Sequence, residues 1–265
     1  MMLKDRVAVI TGASSGIGAA TAVAFGCQGM KVALFARRRD RLERVAQGVR
    51  SAGGQAMVAA GDVRDRHALS RLFEQALAAY GRIDVLFNNA GVGRLGWLET
   101  LDPADVRLQL EVSVLGAIEA TRLVLPGMIE RRSGHVIYMA SLAGKIATPT
   151  YSVYAATKFA LAGFGEALRR EVAMWGIHVS TVFPAGVQTE WGAQAGYRRR
   201  MWRGCRGMPA QSVARAMVGL LKRPRRELIL PPGARLAVWA NRMLPWLGDW
   251  LALRFAQVER WPEFE

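Results

Sequence analysis

Short runs rich in apolar and β-branched residues recur along the chain at residues 7–10, 31–36, 55–60, 83–87, 135–140, 177–183 and 227–230. These read as strands. The first is apolar without a break, the pattern of a strand buried on both faces in a parallel sheet. Between the strands the period lengthens. Ile17, Ala20, Thr21 and Ala24 open one helical pattern, and Leu42, Val45, Ala46 and Val49 share one face of another that runs to about residue 50. A third begins near Arg66. A fourth opens at Pro103, a favourable first-turn residue, and carries Val112, Leu115 and Ile118 towards Leu125 until Ser133 and Gly134 break it. Helices are also expected over residues 152–173 and from about Ala210. Beyond residue 230 the apolar residues continue, and Pro245 is expected to divide this stretch into two short helices.

The first strand-to-helix junction carries the first chemistry. Gly12, Gly16 and Gly18 fall there in a G-x-x-x-G-x-G spacing, unlike the commoner G-x-G-x-x-G fingerprint. Glycine permits a sharp turn and a close backbone approach, while the free N–H groups and dipole of the helix start face an anion. A strand before and a helix after point to a dinucleotide rather than to a plain glycine-rich turn. Residue 36 lies eighteen positions past Gly18, near where an acidic side chain would hold the ribose 2′-hydroxyl of NAD; it is Ala36, followed by Arg37, Arg38 and Arg39. A carboxylate there would repel a 2′-phosphate, whereas a guanidinium binds one bidentately. Cations are poorly placed at a helix start, which favours a binding role for at least Arg37 over a solvated surface. The expected cofactor is NADP(H). Asp62, just past the third strand, suits either an adenine edge or a turn or cap before the next helix. Asn88-Asn89-Ala90-Gly91 ends the fourth strand, with small residues for close approach and amides able to tie strand ends together.

At 265 residues and 51% hydrophobic content, the chain is long enough for one α/β domain with a well-buried core. Two cysteines make no disulfide framework, and a strand begins too early to leave room for a signal peptide. With no apolar run of membrane-spanning length, a cytoplasmic location is expected. The formal charge of +15 raises nucleic acid or an anionic membrane as partners. The cations, mostly arginine, are dispersed, densest at residues 37–39, 198–206 and 223–226, and no recognition signature accompanies them. Nucleic-acid binding is not expected. Nor is a metal site, because His67, His135 and His178 each stand alone.

Tyr154 and Lys158 share one helical face at i, i+4. A phenol, with a pKa near 10, is a poor acid–base group at neutral pH. An ammonium about 4 Å away, at an effective dielectric of about 20, stabilises the phenolate by of order 4 kcal/mol, up to about three pK units. Even half of that brings the tyrosine towards working range. Ser141 ends the fifth strand, where its hydroxyl suits a carbonyl oxygen.

TGASSGIG (residues 11–18), NNAG (88–91), a serine followed by LAG (141–144), YAATK (154–158) and PAGVQT (184–189) occur in this order. In motif and spacing the chain resembles the short-chain dehydrogenase/reductase family over residues 3 to about 190. The resemblance implies an α/β, Rossmann-type, doubly wound seven-stranded parallel sheet with helices on both faces. A catalytic domain is expected over residues 1–230 and a homo-oligomer, dimer or tetramer, while residues 231–265 match no family motif and are expected to form a helical extension. By the same analogy Tyr154 is the general acid/base, Ser141 polarises the carbonyl, and Lys158 lowers the tyrosine's pKa and binds the nicotinamide ribose. The cofactor would meet Gly12, Ser14, Ser15, Gly16, Ile17, Gly18, Arg37, Arg38, Asp62, Val63, Asn89, Ala90, Gly91, Tyr154, Lys158, Pro184, Gly186, Val187 and Thr189, the last and Val187 at the carboxamide. Two positions depart from the family pattern. Ser113 stands where asparagine is usual, beside the lysine's proton relay, and Ala185 stands where a second glycine is common.

Past the last motif, Trp191, Tyr197 and Trp202 lie among arginines over about residues 190–208, which in family terms looks like a substrate-covering lid. The alternative is a solvated loop. The extension holds Trp239, Trp246, Trp250 and Trp261 with Arg235, Arg242 and Arg254. Such a surface suits peripheral contact with the inner membrane face, or packing against the pocket or a partner subunit. Packing is preferred because neither helix shows a clean polar face. The leading expectation is an NADP(H)-dependent oxidoreductase acting on a ketone or secondary alcohol of a fairly hydrophobic small molecule. The alternative is a non-catalytic cofactor-binding sensor or scaffold on the same fold.

Overall fold

The computed structural model describes residues 2–195 and 207–255. Seven parallel strands form one sheet: β1 (Val7–Thr11), β2 (Lys31–Ala36), β3 (Gln55–Ala60), β4 (Val85–Asn88), β5 (Gly134–Met139), β6 (Ile177–Pro184) and β9 (Glu227–Leu230). Their order is β3-β2-β1-β4-β5-β6-β9, and β7 (Val187–Gln188) pairs separately with β8 (Met208–Pro209). Alternate residues of the first strand serve two cores. Val7 and Val9 join one hydrophobic cluster and Ala8 and Ile10 the other, all essentially inaccessible. That is why the run is apolar without a break.

One face is covered by α1 (Gly16–Gly26), α2 (Arg39–Ser51) and α8 (Ala210–Lys222), through Phe25, Leu42, Val49 and Met217 among others. The other carries α3 (Arg66–Tyr80), α5 (Gly116–Glu130) and α6 (Ser152–Glu171), through Leu69, Leu72, Val124 and Leu161. The helix expected from Pro103 is continuous but not uniform. After α4 (Pro103–Leu110) it passes through a π-helical turn (Glu111–Leu115) before α5. By length and composition the span Pro103–Glu130 is long and apolar enough to cross a membrane. It buries Val112, Ala117, Ala120, Val124 and Met128 against the sheet, however, as a core helix does.

The sheet order reverses between β1 and β4, and the crevice at the carboxyl ends of such a pair is where ligands bind in open α/β sheets. α7 (Glu190–Gln194) follows β7 towards this crevice. Past β9 come α9 (Ala234–Met243) and α10 (Pro245–Phe255), separated at Pro245 as expected. α9 buries no residue, touching the body through the partly buried Ala234 and Val238, and α10 folds back on α9. Most of the predicted lid lies outside the described residues.

Candidate active site

The glycine turn takes its shape from positive φ at Gly12 (+65°) and Gly16 (+56°) and from crowding at Gly18. A Cβ at Gly12 would lie 2.8 Å from Ala90 Cα, and one at Gly18 only 2.4 Å from the Gly12 carbonyl oxygen. No side chain fits either place. The Asn89 amide donates to the carbonyls of Thr11 and Gly12 at 3.1 Å each, while the Thr11 hydroxyl accepts from the backbone N–H of Asn89 and Ala90. These bonds lock the end of β1 to that of β4, as the amides of NNAG lead one to expect. Below them, buried Asn88 donates to Thr121, which is bonded in turn to Tyr138.

The start of α1 fits an anion. Ser15 sits at its N-cap position without capping it, and the first turn holds no acidic residue. Instead the hydroxyls of Ser14 and Ser15 accept from Arg38 at 3.2 and 2.9 Å. Arg38, rather than the favoured Arg37, therefore leans over the glycine turn. Arg37 is exposed and adds only a weak charge effect at Asp62. Successive side chains diverge at the end of a strand, and the i, i+3 partner of Arg38 is Arg41 on the first turn of α2. Arg41 grips Glu190 of α7 at 2.6 and 2.7 Å, with Arg38 3.4 Å away. The Arg41 hydrogen bond leads in holding the Glu190 carboxyl below its usual range. The spacing of Arg38 and Arg41 offered a sequence signal for this second arginine; nothing nearby in sequence signalled Glu190.

Asp62 is occupied by a neighbour. Arg64 donates to it through its backbone and guanidinium, and although burial alone would raise the carboxyl, these contacts hold it below its usual value. Val63 packs against Gly116, where an added Cβ would lie 3.0 Å away. Thr189 reaches the glycine turn, its methyl 3.1 Å from where a Gly16 Cβ would stand, while Val187 packs against the core and Gly186 accepts from the Met208 N–H. Ile17 packs at the edge of the core under α1.

The fold also gathers the catalytic candidates. Ser141 follows β5, its hydroxyl accepting from the Ala143 N–H at 3.2 Å and hydrogen-bonding to Tyr154. Tyr154 and Lys158 rise from the first turns of α6, with the lysine amine 5.5 Å from the phenol ring centre. Lys158 donates to the Met139 carbonyl at 3.0 Å. A Cβ at Gly91 would lie 3.5 Å from Lys158 Nζ and 3.6 Å from Ser113 Oγ, so both face this glycine. Ser113 is buried inside the π-turn and accepts from the Val92 N–H at 3.4 Å. π-turns cluster at functional sites.

One expectation is reversed in this state. Burial pushes the Tyr154 phenol up to about 12, opposed only by the Ser141 hydrogen bond, and pushes the Lys158 amine down to about 8. Burial disfavours the phenolate and the ammonium alike, and it dominates both groups. Two aromatic rings help to cover the phenol. Trp191 lies 4.8 Å from Tyr154 centre to centre, and Tyr151 packs edge-on at 6.0 Å. Trp191 also presses on Gly93, where a Cβ would lie 2.3 Å from the indole. Of the histidines, His135 is buried against Ser180, and burial pushes it down to about 3.

Comparison with known proteins agrees with this geometry. Residues 6–199 match the family model described as short chain dehydrogenase. An uncharacterised oxidoreductase of Listeria innocua is 38% identical over 192 residues, 72% of this chain and 77% of its own. A short chain dehydrogenase/reductase from Burkholderia phymatum, solved in complex with NAD, superposes with a TM-score of 0.84 at 27% identity, covering 93% of this chain and 96% of that one. An alcohol dehydrogenase from Thermococcus sibiricus, solved with 5-hydroxy-NADP, gives 0.77 at 28% identity over 86% of this chain and 96% of that one. The chain belongs to the short-chain dehydrogenase family of oxidoreductases.

Proposed function

We propose that the chain is an NADP(H)-dependent oxidoreductase interconverting a carbonyl and a secondary alcohol on a fairly hydrophobic small molecule. The observation that carries this is the hydrogen-bonded pair of Ser141 and Tyr154 hydroxyls beside Lys158, at the carboxyl ends of the strands. A bound nicotinamide supplies the hydride donor or acceptor. Ser141 donates to the substrate oxygen and fixes its position, and Tyr154 delivers a proton to that oxygen during reduction or removes it during oxidation. At neutral pH a phenol pushed up to about 12 is protonated, the form reduction requires, and it is a far stronger acid than the alcohol it creates. Lys158, when protonated, supplies positive charge at the phenol's edge, and Ser113 keeps the Val92 amide in place behind it. Arg38, with Ser14 and Ser15, would hold the 2′-phosphate; the α1 N-terminus the pyrophosphate; Asn89–Gly91 and Lys158 the nicotinamide ribose; Val187 and Thr189 the carboxamide. Tyr151 and Trp191 give the substrate side an aromatic wall, which supports an apolar substrate.

Tyr154→Phe removes a single oxygen. On the best substrate of a carbonyl panel with NADPH, turnover is expected to fall by about 10²–10⁴-fold while NADPH binding, read by fluorescence, stays unchanged. Turnover equal to wild type would refute the mechanism. One observation favours a second reading, a non-catalytic NADP(H)-binding scaffold: Trp191 packs directly on the catalytic phenol. On that reading NADPH binds but no member of the panel turns over.

The assembly belongs to the same proposal. Leu110, Leu115 and Phe159 are exposed on the α4–α5 helix and on α6, two elements in contact with each other. Large apolar side chains on adjoining helices support a homo-oligomer built through this face.

A further inference from the structure

α7 buries none of its five residues, so a few contacts seat it rather than a core. At its start Arg41 donates to both Glu190 carboxylate oxygens, at 2.7 and 2.6 Å, and Arg38 lies 3.4 Å from one of them. The Arg38 guanidinium is divided. Its Nη1 faces Glu190, while Nη2 donates to Ser14 and Ser15 of the glycine turn. In the middle of the helix Trp191 lies over Tyr154 and Gly93. At its far end the Leu95 N–H donates to the Ala195 carbonyl at 2.9 Å, and Arg94 donates to that of Gln194 at 3.0 Å. One short helix thus joins the arginines beside the glycine turn to the ring over the phenol.

Glu190 stands where another anion would have to go. A phosphate on Arg38 and Arg41 would meet like charge there until the carboxylate left. The pair it must break is weak, because Arg41 and Glu190 are 34% and 50% exposed. A doubly charged phosphate competes well against a single carboxylate for a guanidinium. At the other end of this coupling Tyr154 is only 7% exposed, and its hydroxyl is hydrogen-bonded to Ser141. A carbonyl oxygen reaches that hydroxyl only after the ring above it moves. Glu190 and Trp191 are consecutive, so the hold lost at one is lost from the seat of the other.

We propose that Glu190 is a latch read by the cofactor's 2′-phosphate. With the phosphate on Arg38 and Arg41 the carboxylate is expelled, α7 loses its hold at that end, and Trp191 uncovers Tyr154. NADH, lacking that phosphate, leaves the latch closed. The latch rests on the reading that Arg38 holds a 2′-phosphate, and it makes Glu190 a determinant of cofactor choice in turnover as well as in binding. A ligand shifts such an equilibrium only by its differential affinity for the two states, and here the difference is one phosphate.

The test labels the full chain with 5-fluorotryptophan and follows the fluorine resonance of residue 191, assigned with Trp191→Phe. The protein is titrated with NADP+ or NAD+, and calorimetry measures their binding separately. NADP+ is expected to move the resonance to a second position, and saturating NAD+ to leave it in place. In Glu190→Gln the second position is expected to fill without cofactor. Saturating NADPH is expected to give at least about fivefold the kcat of saturating NADH in wild type, and less than about twofold in Glu190→Gln. Equal movement by both cofactors overturns the latch, since the phosphate is then not what is read. So does bound NADP+ that leaves the resonance where it was, which would mean that the Glu190 side chain swings out alone. Both outcomes are read in wild type and need no variant. Failure of the underlying reading looks different: Arg38→Ala then binds NADP+ as tightly as wild type, and the latch falls with it.

Discussion

Lys158 shows how burial sets the chemistry of single residues. The unfolded lysine titrates near 10.5, and in the fold burial brings it down to about 8. Below pH 8 both states are charged and the folded one bears the cost of desolvation. Between pH 8 and 10.5 the folded lysine gives up its proton while the unfolded one keeps it, so this group makes stability rise with pH across that window. Lys158→Met is expected to stabilise the fold at pH 7 by up to about 3 kcal/mol, a gain that fades towards pH 10.5. Melting temperatures of both proteins across that range check it, and a difference independent of pH would contradict it. The residue types of this site were all legible in the sequence. Which arginine lies by the glycine turn was not, because side chains at 37 and 38 leave the strand end in different directions and only the three-dimensional turn shows that Arg38 meets Ser14 and Ser15.

Between elements, the contact to watch is the one joining α7 to α2. Glu190 bridges Arg41 and Arg38 across the mouth of the glycine turn, and the same short helix carries Trp191 onto Tyr154. A carboxylate thus occupies the arginines on which the proposed 2′-phosphate depends. Arg38→Ala is expected to weaken NADPH binding by roughly ten- to a hundredfold while barely changing NADH binding, since a charge-assisted hydrogen bond is lost with only one of them. Glu190→Gln is expected to act in the opposite direction, tightening NADPH several-fold by removing a competitor. Titration of each variant with both cofactors checks the pair, and an equal loss for NADH and NADPH in Arg38→Ala would place the 2′-phosphate elsewhere. The π-turn is a second case. The helical period of residues 103–130 shows plainly in the sequence, but its local widening around Ser113, which faces Gly91, leaves no periodic mark.

Among the described residues of the whole molecule, large apolar side chains stand exposed on α4–α6 and on the α9–α10 hairpin. If the first is the oligomer interface, Leu115→Glu with Phe159→Glu places charges in it and yields a monomer in sedimentation velocity, with the fold intact by circular dichroism. An unchanged mass would assign assembly to another face. The hairpin also shows what only the fold decides: in α9 the side against the body carries small residues and the large ones face out. Composition alone does not say which way such a helix turns.

The order of strands and helices, the glycine turn and the Ser141–Tyr154–Lys158 set were determined by the sequence itself, because period, glycine spacing and short-range helical spacing are local properties written into consecutive residues. The tertiary structure decided the rest: that Arg38 leans over the turn, that burial raises the phenol and lowers the amine, and that the last two helices present their tryptophans outward. Desolvation and facing depend on atoms brought together from distant parts of the chain, and no window of sequence contains them.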